Sequence, residues 1–259
     1  MYGICNLSIV PCRKEPSDKS EMVTQLLFGE HFEVLEEKKS WVLIRIAYDN
    51  YECWIDKKQF LPVKDIKGIS DETTALTTEI VQLAEDENKG IIPILLGSSL
   101  PKFKNKSFHL GKQEYSFDGE IKFPFNKSTK VSPLGGDLEG VAKWYLNTPY
   151  LWGGRSPFGI DCSGFTQMVF KLNGIKLKRD AWQQAEQGKA LSFLEEAQTG
   201  DLAFFDNEDG KIVHVGIILE GGKIIHASGK VRIDKLDHQG IFNGEMKKYT
   251  HRLRVAKKY

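Results

Sequence analysis

Thr148-Pro149-Tyr150-Leu151-Trp152-Gly153-Gly154-Arg155-Ser156-Pro157-Phe158-Gly159-Ile160-Asp161-Cys162-Ser163-Gly164-Phe165 is the stretch on which the reading of this chain turns. Its first part is punctuated by Pro149, Gly153, Gly154, Pro157 and Gly159, so it cannot be regular helix. Gln167-Met168-Val169-Phe170-Lys171-Leu172, which follows, has helical character and is closed by Asn173-Gly174. Cys162 therefore sits where a glycine-rich loop enters a helix predicted over residues 161–172. Unpaired N–H groups and the positive end of the helix dipole stabilise an anion at such a place. The expectation is a thiol that ionises easily and acts as a nucleophile.

Two histidines lie further on, in Ile212-Val213-His214-Val215-Gly216 and in Ile224-Ile225-His226-Ala227. A three-residue loop, Glu220-Gly221-Gly222, would set Leu219 opposite Lys223 and Gly216 opposite His226. His214 and His226 then share one face of the sheet and reach each other diagonally. A two-residue loop would put them on opposite faces, because the side-chain period is two. The same-face register suits catalysis: one ring takes the thiol proton, and the other fixes its orientation and tautomer. His31, His109, His238 and His251 lack such company and are read as surface or structural residues.

The chain of 259 residues is long enough for one large or two to three small domains. A net charge of +1 gives no broad basic field, so nucleic acid is not an expected partner. Cys5, Cys12, Cys53 and Cys162 have neither metal-ligand spacing nor a disulfide pattern, and the first three read as buried thiols. No metal or other cofactor is expected, and no apolar run is long enough to span a bilayer. The N-terminus carries neither a basic leader nor a signal-peptide core. That leads to the expectation of a cytoplasmic protein, provided Met1 is the natural start.

Residues 1–64 read as short strands with turns between them, including Trp41-Val42-Leu43-Ile44-Arg45-Ile46 and Tyr51-Glu52-Cys53-Trp54-Ile55, which suggests a small β-barrel. Residues 65–130 read as a second, degenerate barrel or a linker with a hairpin. Within them Thr73 to Ala84 is predicted helical from the spacing of Ala75, Leu76, Ile80, Leu83 and Ala84. Residues 131–259 place helices first (Gly140 to Leu146, the cysteine helix, Ala181 to Gln187) and an antiparallel sheet afterwards, an α+β pattern.

Four motifs in order, T-P-Y-L-W-G-G-R-S-P-F-G-I-D-C-S-G-F (with its tyrosine twelve residues before the cysteine), G-D-L-A-F-F, H-V-G-I-I and I-I-H-A-S-G, resemble the NlpC family of cysteine peptidases over residues 131–259. The resemblance implies a papain-like core with Cys162 as nucleophile, His214 as general base and His226 as the third, polar member. Tyr150 would stand near the nucleophile and oxyanion. The first 64 residues resemble a bacterial SH3-like domain. The whole arrangement, one or two SH3-like barrels before the catalytic domain, is similar to YkfC-type γ-D-glutamyl-L-diamino acid endopeptidases.

That likeness implies murein peptides as substrate, L-Ala-γ-D-Glu followed by diaminopimelate or lysine, and a role in murein recycling. The barrel would read the free amine of L-alanine through a tyrosine, matched by Tyr51, and an acid, either Glu15 or Glu21. Asp161 and Ser163 would help hold the amine and the peptide, with Trp152 in the same loop. Arg179 could pair with the D-glutamate α-carboxylate, and Asp180 lines the same segment or caps a helix. Two other readings compete: an exported wall-lytic endopeptidase or amidase of the same fold, and a non-catalytic SH3-like module that binds wall peptides.

Overall fold

The computed structural model describes residues 1–67, 69–126 and 138–259. The change of composition expected at Val131 lies outside the described residues. Contacts divide the chain into two compact units. The first comprises the described residues of Met1–Gly136 with Trp152–Pro157 and Lys171–Lys176, and the second Asp137–Leu151, Phe158–Phe170 and Leu177–Tyr259.

Among the described residues the first unit is built mainly of strands and turns. Seven strands pair in the order Met22–Leu27, Ile9–Arg13, Glu52–Asp56, Trp41–Ile46, His31–Lys38, Tyr2–Ile4 and Leu61–Val63. The alternation of Trp41–Ile46 turns Val42, Ile44 and Ile46 into a core with Val10, Phe32 and Ile55. Cys5, Cys12 and Cys53 are buried thiols of that same core. Residues beyond 70 add a four-stranded and a three-stranded sheet around Ala84, Ile94, Leu100, Phe108, Tyr115 and Phe117. Phe28 packs edge-on against Phe108 and Tyr115, so the two groups of strands share core residues within one unit.

The helix expected over Thr73 to Ala84 is not formed. Thr74–Thr77 and Val81–Asp86 are strands. Thr73, Thr74, Thr77 and Thr78 are β-branched and lose side-chain freedom in a helix. All four residues of Thr74–Thr77 are buried between Ser99–Pro101 and Ile121–Lys122, which a one-sided amphipathic helix would not give.

A buried charge cluster lies inside the first unit. Glu30 accepts from Arg155 Nη1 and Nη2 at 2.8 and 2.9 Å and from Lys171 Nζ at 2.8 Å. The Leu27 N–H adds a fourth donor at 3.0 Å. Burial alone would raise the Glu30 carboxyl, but the two cations outweigh it and hold it well below the carboxylate range.

In the second unit, three helices, α1 (Leu138–Trp144), α2 (Cys162–Leu172) and α3 (Ala181–Gln184), accompany a seven-stranded antiparallel sheet. The sheet runs Lys189–Ala190, Lys248–Lys258, Leu202–Asp206, Ile212–Leu219, Lys223–Ser228, Lys230–Asp237 and Gly240–Asn243. Its last strand pairs back onto Lys248–Lys258. Helix is a minor part of the chain, so α+β describes the second unit, and the whole is mostly sheet. No described helix is long and apolar enough to cross a membrane.

Candidate active site

The cysteine is set by its own helix start. Asp161 caps α2: its Oδ1 accepts from the Gly164 N–H at 2.6 Å, and its carbonyl accepts from the Phe165 N–H. That places Cys162 at the first helical position, 6 % exposed. The backbone of Val215, the residue directly after His214, and that of Ser163 act on the thiol to favour its ionised form.

The register of that strand with the next is Leu219 opposite Lys223 and Gly216 opposite His226, as the three-residue loop requires. Gly221 and Gly222 hold positive φ of 73° and 64°, where a side chain would be strained. His214 Nε2 and His226 Nδ1 are 2.9 Å apart, and the rings are 5 % and 1 % exposed. Gly216 makes room for the second ring: a Cβ there would stand 2.8 Å from the His226 Cβ and 2.7 Å from Ile224 Cδ1.

The acidity of the thiol departs from the sequence expectation. Burial, with the Asp161 carboxylate beside it, pushes Cys162 up to about 12, and the backbone of Val215 and Ser163 together with Arg179 offset this only in part. The helix N-terminus is already used by the Asp161 cap, and a buried anion loses its hydration. Burial also takes His214 well below the ordinary histidine value, with His226 and His251 adding to the effect. Burial thus favours the neutral form of both the thiol and the imidazole.

Tyr150 is tied in place by its N–H to the Gly229 carbonyl and by a parallel bridge to Ile160. Burial raises its phenol, and Cys162 and Asp161 nearby add to the effect, so it remains a hydrogen-bond donor near the sulfur. Arg179, 1 % exposed, grips Asp161 through Nη1–Oδ1 at 3.1 Å and Nη2–Oδ2 at 2.6 Å. It also donates to Ser163 Oγ at 2.9 Å. The guanidinium suggested for a substrate carboxylate is thus engaged by the helix-capping acid. Asp180 is the N-cap of α3, its N–H donating to Gln183 Oε1 at 3.1 Å.

The candidates in the first unit separate. Trp152 is 60 % exposed, and its Nε1 donates to Glu21 Oε1 at 2.8 Å. Glu15 is exposed on its loop, where its N–H donates to Ser20 Oγ. Tyr51 packs partly buried on the barrel core, its N–H on Asp49 Oδ1 at 3.0 Å.

Two residues of the second unit escaped the sequence reading. His251, expected to be a surface or structural residue, is partly buried: its ring stacks on His214 with centroids 4.1 Å apart, and its Nδ1 is 2.9 Å from Thr250 Oγ1. Burial, with His226 adding to it, lowers His251 to about 4, so it stacks as a neutral ring. Asp234 Oδ2 is 3.1 Å from His226 Nε2. Alternation in Val231-Arg232-Ile233-Asp234 favours Ile233 inward, yet Ile233 is 37 % exposed and Asp234 only 8 %. Ring nitrogens of His214, His226 and His251 lie within 4.8 Å of one another, a spacing compatible with a metal ion. The hydrogen bond between His214 and His226 is the competing use of two of those nitrogens.

A buried cysteine at a helix start, in the same unit as a strand histidine hydrogen-bonded to a second histidine, supplies the groups that thiol-based acyl transfer needs. Comparisons with known proteins agree with that class. Residues 147–254 match the NlpC/P60 family, and residues 12–60 match the bacterial dipeptidyl-peptidase Sh3 domain. The chain is 33 % identical over 216 residues to a γ-D-glutamyl-L-lysine dipeptidyl-peptidase of Bacillus subtilis, covering 79 % of this chain and 71 % of that protein. A protein of the same description from Bacillus cereus is 27 % identical, with 82 % and 68 % covered. The crystal structure of an NlpC/P60 family protein from Bacillus cereus superposes with a TM-score of 0.82 at 22 % identity, covering 100 % of this chain and 99 % of that one. The chain belongs to the NlpC/P60 family and is a cysteine peptidase with an SH3-like domain before its catalytic domain.

Proposed function

We propose that this peptidase hydrolyses the γ-D-glutamyl–L-diamino acid bond of murein peptides that carry a free N-terminal L-alanine, and that it serves their recycling. The observation that carries the reading is the 2.9 Å contact between His214 and His226 on neighbouring strands of the second unit, the unit that also holds the Cys162 helix start. The γ-glutamyl bond is an amide, so acyl transfer through a thioester applies to it. Sγ attacks the γ-carbonyl carbon while His214 takes the thiol proton. The resulting oxyanion is met by the Cys162 N–H and the Tyr150 hydroxyl, each such donor being worth ~3 kcal/mol. His214 then protonates the departing amine of the diamino acid, and water hydrolyses the thioester.

The substrate assignment is supported by the similarity to γ-D-glutamyl-L-lysine dipeptidyl-peptidases, since a dipeptidyl-peptidase releases two residues from an N-terminus. Such an enzyme needs a fixed negative group for the ammonium. Glu21 fits better than Glu15, because Trp152 already holds its carboxylate in the loop that leads to the nucleophile. Tyr51 is the proposed partner on the barrel. Asp161 and Ser163 act beside the nucleophile, and Arg179 holds Asp161 in place rather than binding substrate.

The test sets L-Ala-γ-D-Glu-meso-diaminopimelate and its lysine analogue beside their N-acetylated forms and whole sacculi. Release of the diamino acid from the free-amine peptides alone supports the proposal. Equal cleavage of acetylated peptide removes the amine-reading part, and solubilisation of sacculi in preference to free peptide contradicts the recycling role.

A further inference from the structure

The second histidine is backed by an acid that the scheme above leaves unused. Asp234, on the Lys230–Asp237 strand, is 8 % exposed and presents Oδ2 to His226 Nε2 at 3.1 Å. An ionised carboxylate can only accept, so the hydrogen in that contact belongs to His226 Nε2. Burial keeps His226 neutral at neutral pH, although Asp234 works in the opposite direction. A neutral ring with its hydrogen on Nε2 has a bare Nδ1. Since Nδ1 is 2.9 Å from His214 Nε2, the shared hydrogen must come from His214. His214 then has its own Nδ1 bare, the lone pair a general base needs.

We infer that Asp234 is a positioning residue that fixes, through His226, the tautomer in which His214 offers an unprotonated Nδ1 to the thiol. Without the acid, the opposite chain is equally satisfied: His226 donates from Nδ1 to His214 Nε2, the hydrogen of His214 moves to Nδ1, and the base is blocked. Arg232 holds the carboxylate in plane, with Nε 2.7 Å from Oδ2 and Nη2 3.0 Å from Oδ1. It also offsets the acid's charge, so the acid acts by orientation more than by raising histidine basicity. The groups around the relay are His214, His251, Asp234 and Arg232, with Glu245 on the far side of Arg232. The inference rests on His214 being the base, but its direct readout needs no substrate.

Long-range proton–nitrogen correlation spectra of histidine-labelled protein at neutral pH report which nitrogen carries each hydrogen. In the wild type, His226 and His214 should both be Nε2–H tautomers. Asp234→Ala should move hydrogen onto Nδ1 and lower kcat by roughly 100-fold with little change in KM, between the usual outer-partner and wrong-tautomer penalties. Asp234→Asn should keep both tautomers and most of the rate, because its amide oxygen can still face the His226 and Arg232 donors. An Nδ1–H tautomer of either ring in the wild type overturns the inference, as does Asp234→Ala with unchanged tautomers and kcat. If Asp234→Ala does not fold, the wild-type and Asp234→Asn spectra decide. Tautomers as assigned, in a protein that cleaves no γ-glutamyl peptide, would uphold the relay and refute the substrate.

Discussion

Replacing Glu30 by glutamine removes the carboxylate that Arg155 and Lys171 share. Glu30, Arg155 and Lys171 have side chains only 3 %, 1 % and 2 % exposed, so water cannot take over the lost ion pairs. Glutamine preserves the shape, but its amide can satisfy at most one oxygen's share of the four donors that Glu30 now accepts. Breaking a buried pair by removing one partner costs about 3–5 kcal/mol, a large part of the ~5–15 kcal/mol that holds a domain together. At ~2–4 °C per kcal/mol for a domain of this size, the midpoint should fall by roughly 6–20 °C.

Calorimetry of Glu30→Gln beside Glu37→Gln isolates the effect. Glu37 makes a 2.7 Å pair with Lys57 at the surface, the side chains 51 % and 35 % exposed, and its loss should stay within ~0.5 kcal/mol. The sign with pH is fixed as well. The folded Glu30 carboxyl is depressed, so its contribution is complete above the unfolded value of ~4.3 and is lost as pH falls through the folded value. The gap between wild type and Glu30→Gln should therefore narrow in acid. A Glu30→Gln midpoint equal to that of Glu37→Gln at neutral pH would refute the reasoning.

Three further outcomes concern the site. Gly216→Ala should displace the His226 ring, since the new Cβ meets His226 Cβ at 2.8 Å, and should cut kcat by ~10-fold or more while the fold survives; unchanged kinetics would show that the ring position does not matter. Alkylation of Cys162 by iodoacetamide in the free enzyme, followed by mass spectrometry of its peptide, should rise about tenfold per pH unit through the neutral range, because the thiol is held at about 12; a plateau from pH 5 to 8 would instead mean a preformed thiolate. His214→Ala should lose more rate than His226→Ala, by ~10-fold or more, as steady-state kinetics would show, and the reverse order would exchange their roles.

Much of the catalytic geometry was legible because it rests on local rules. Glu220-Gly221-Gly222 fixes the hairpin register, the period of two then fixes the face, and His214 and His226 meet as the count requires. The Asp-Cys step reads as a cap followed by a helix start, and that is how α2 begins. What the sequence hid depends on partners distant along the chain. Asp234 turns inward against the apolar alternation because His226 and Arg232 satisfy it there. His251 reaches His214 through pairing of the Lys248–Lys258 strand, on which residue spacing is silent. Thr73 to Ala84 carried helical spacing by coincidence, and burial on both faces prevailed over it. The thiol's acidity went the other way from the helix-dipole argument, because enclosure outweighs a terminus already capped by Asp161.

The nucleophile can be tested directly by comparing wild type with Cys162→Ala on L-Ala-γ-D-Glu-diaminopimelate, at matched melting temperature. The wild type should release diaminopimelate and L-Ala-D-Glu, acid-quenched samples should carry the dipeptidyl mass on the Cys162 peptide, and the variant should release neither product. Hydrolysis by Cys162→Ala at an undiminished rate would contradict the account.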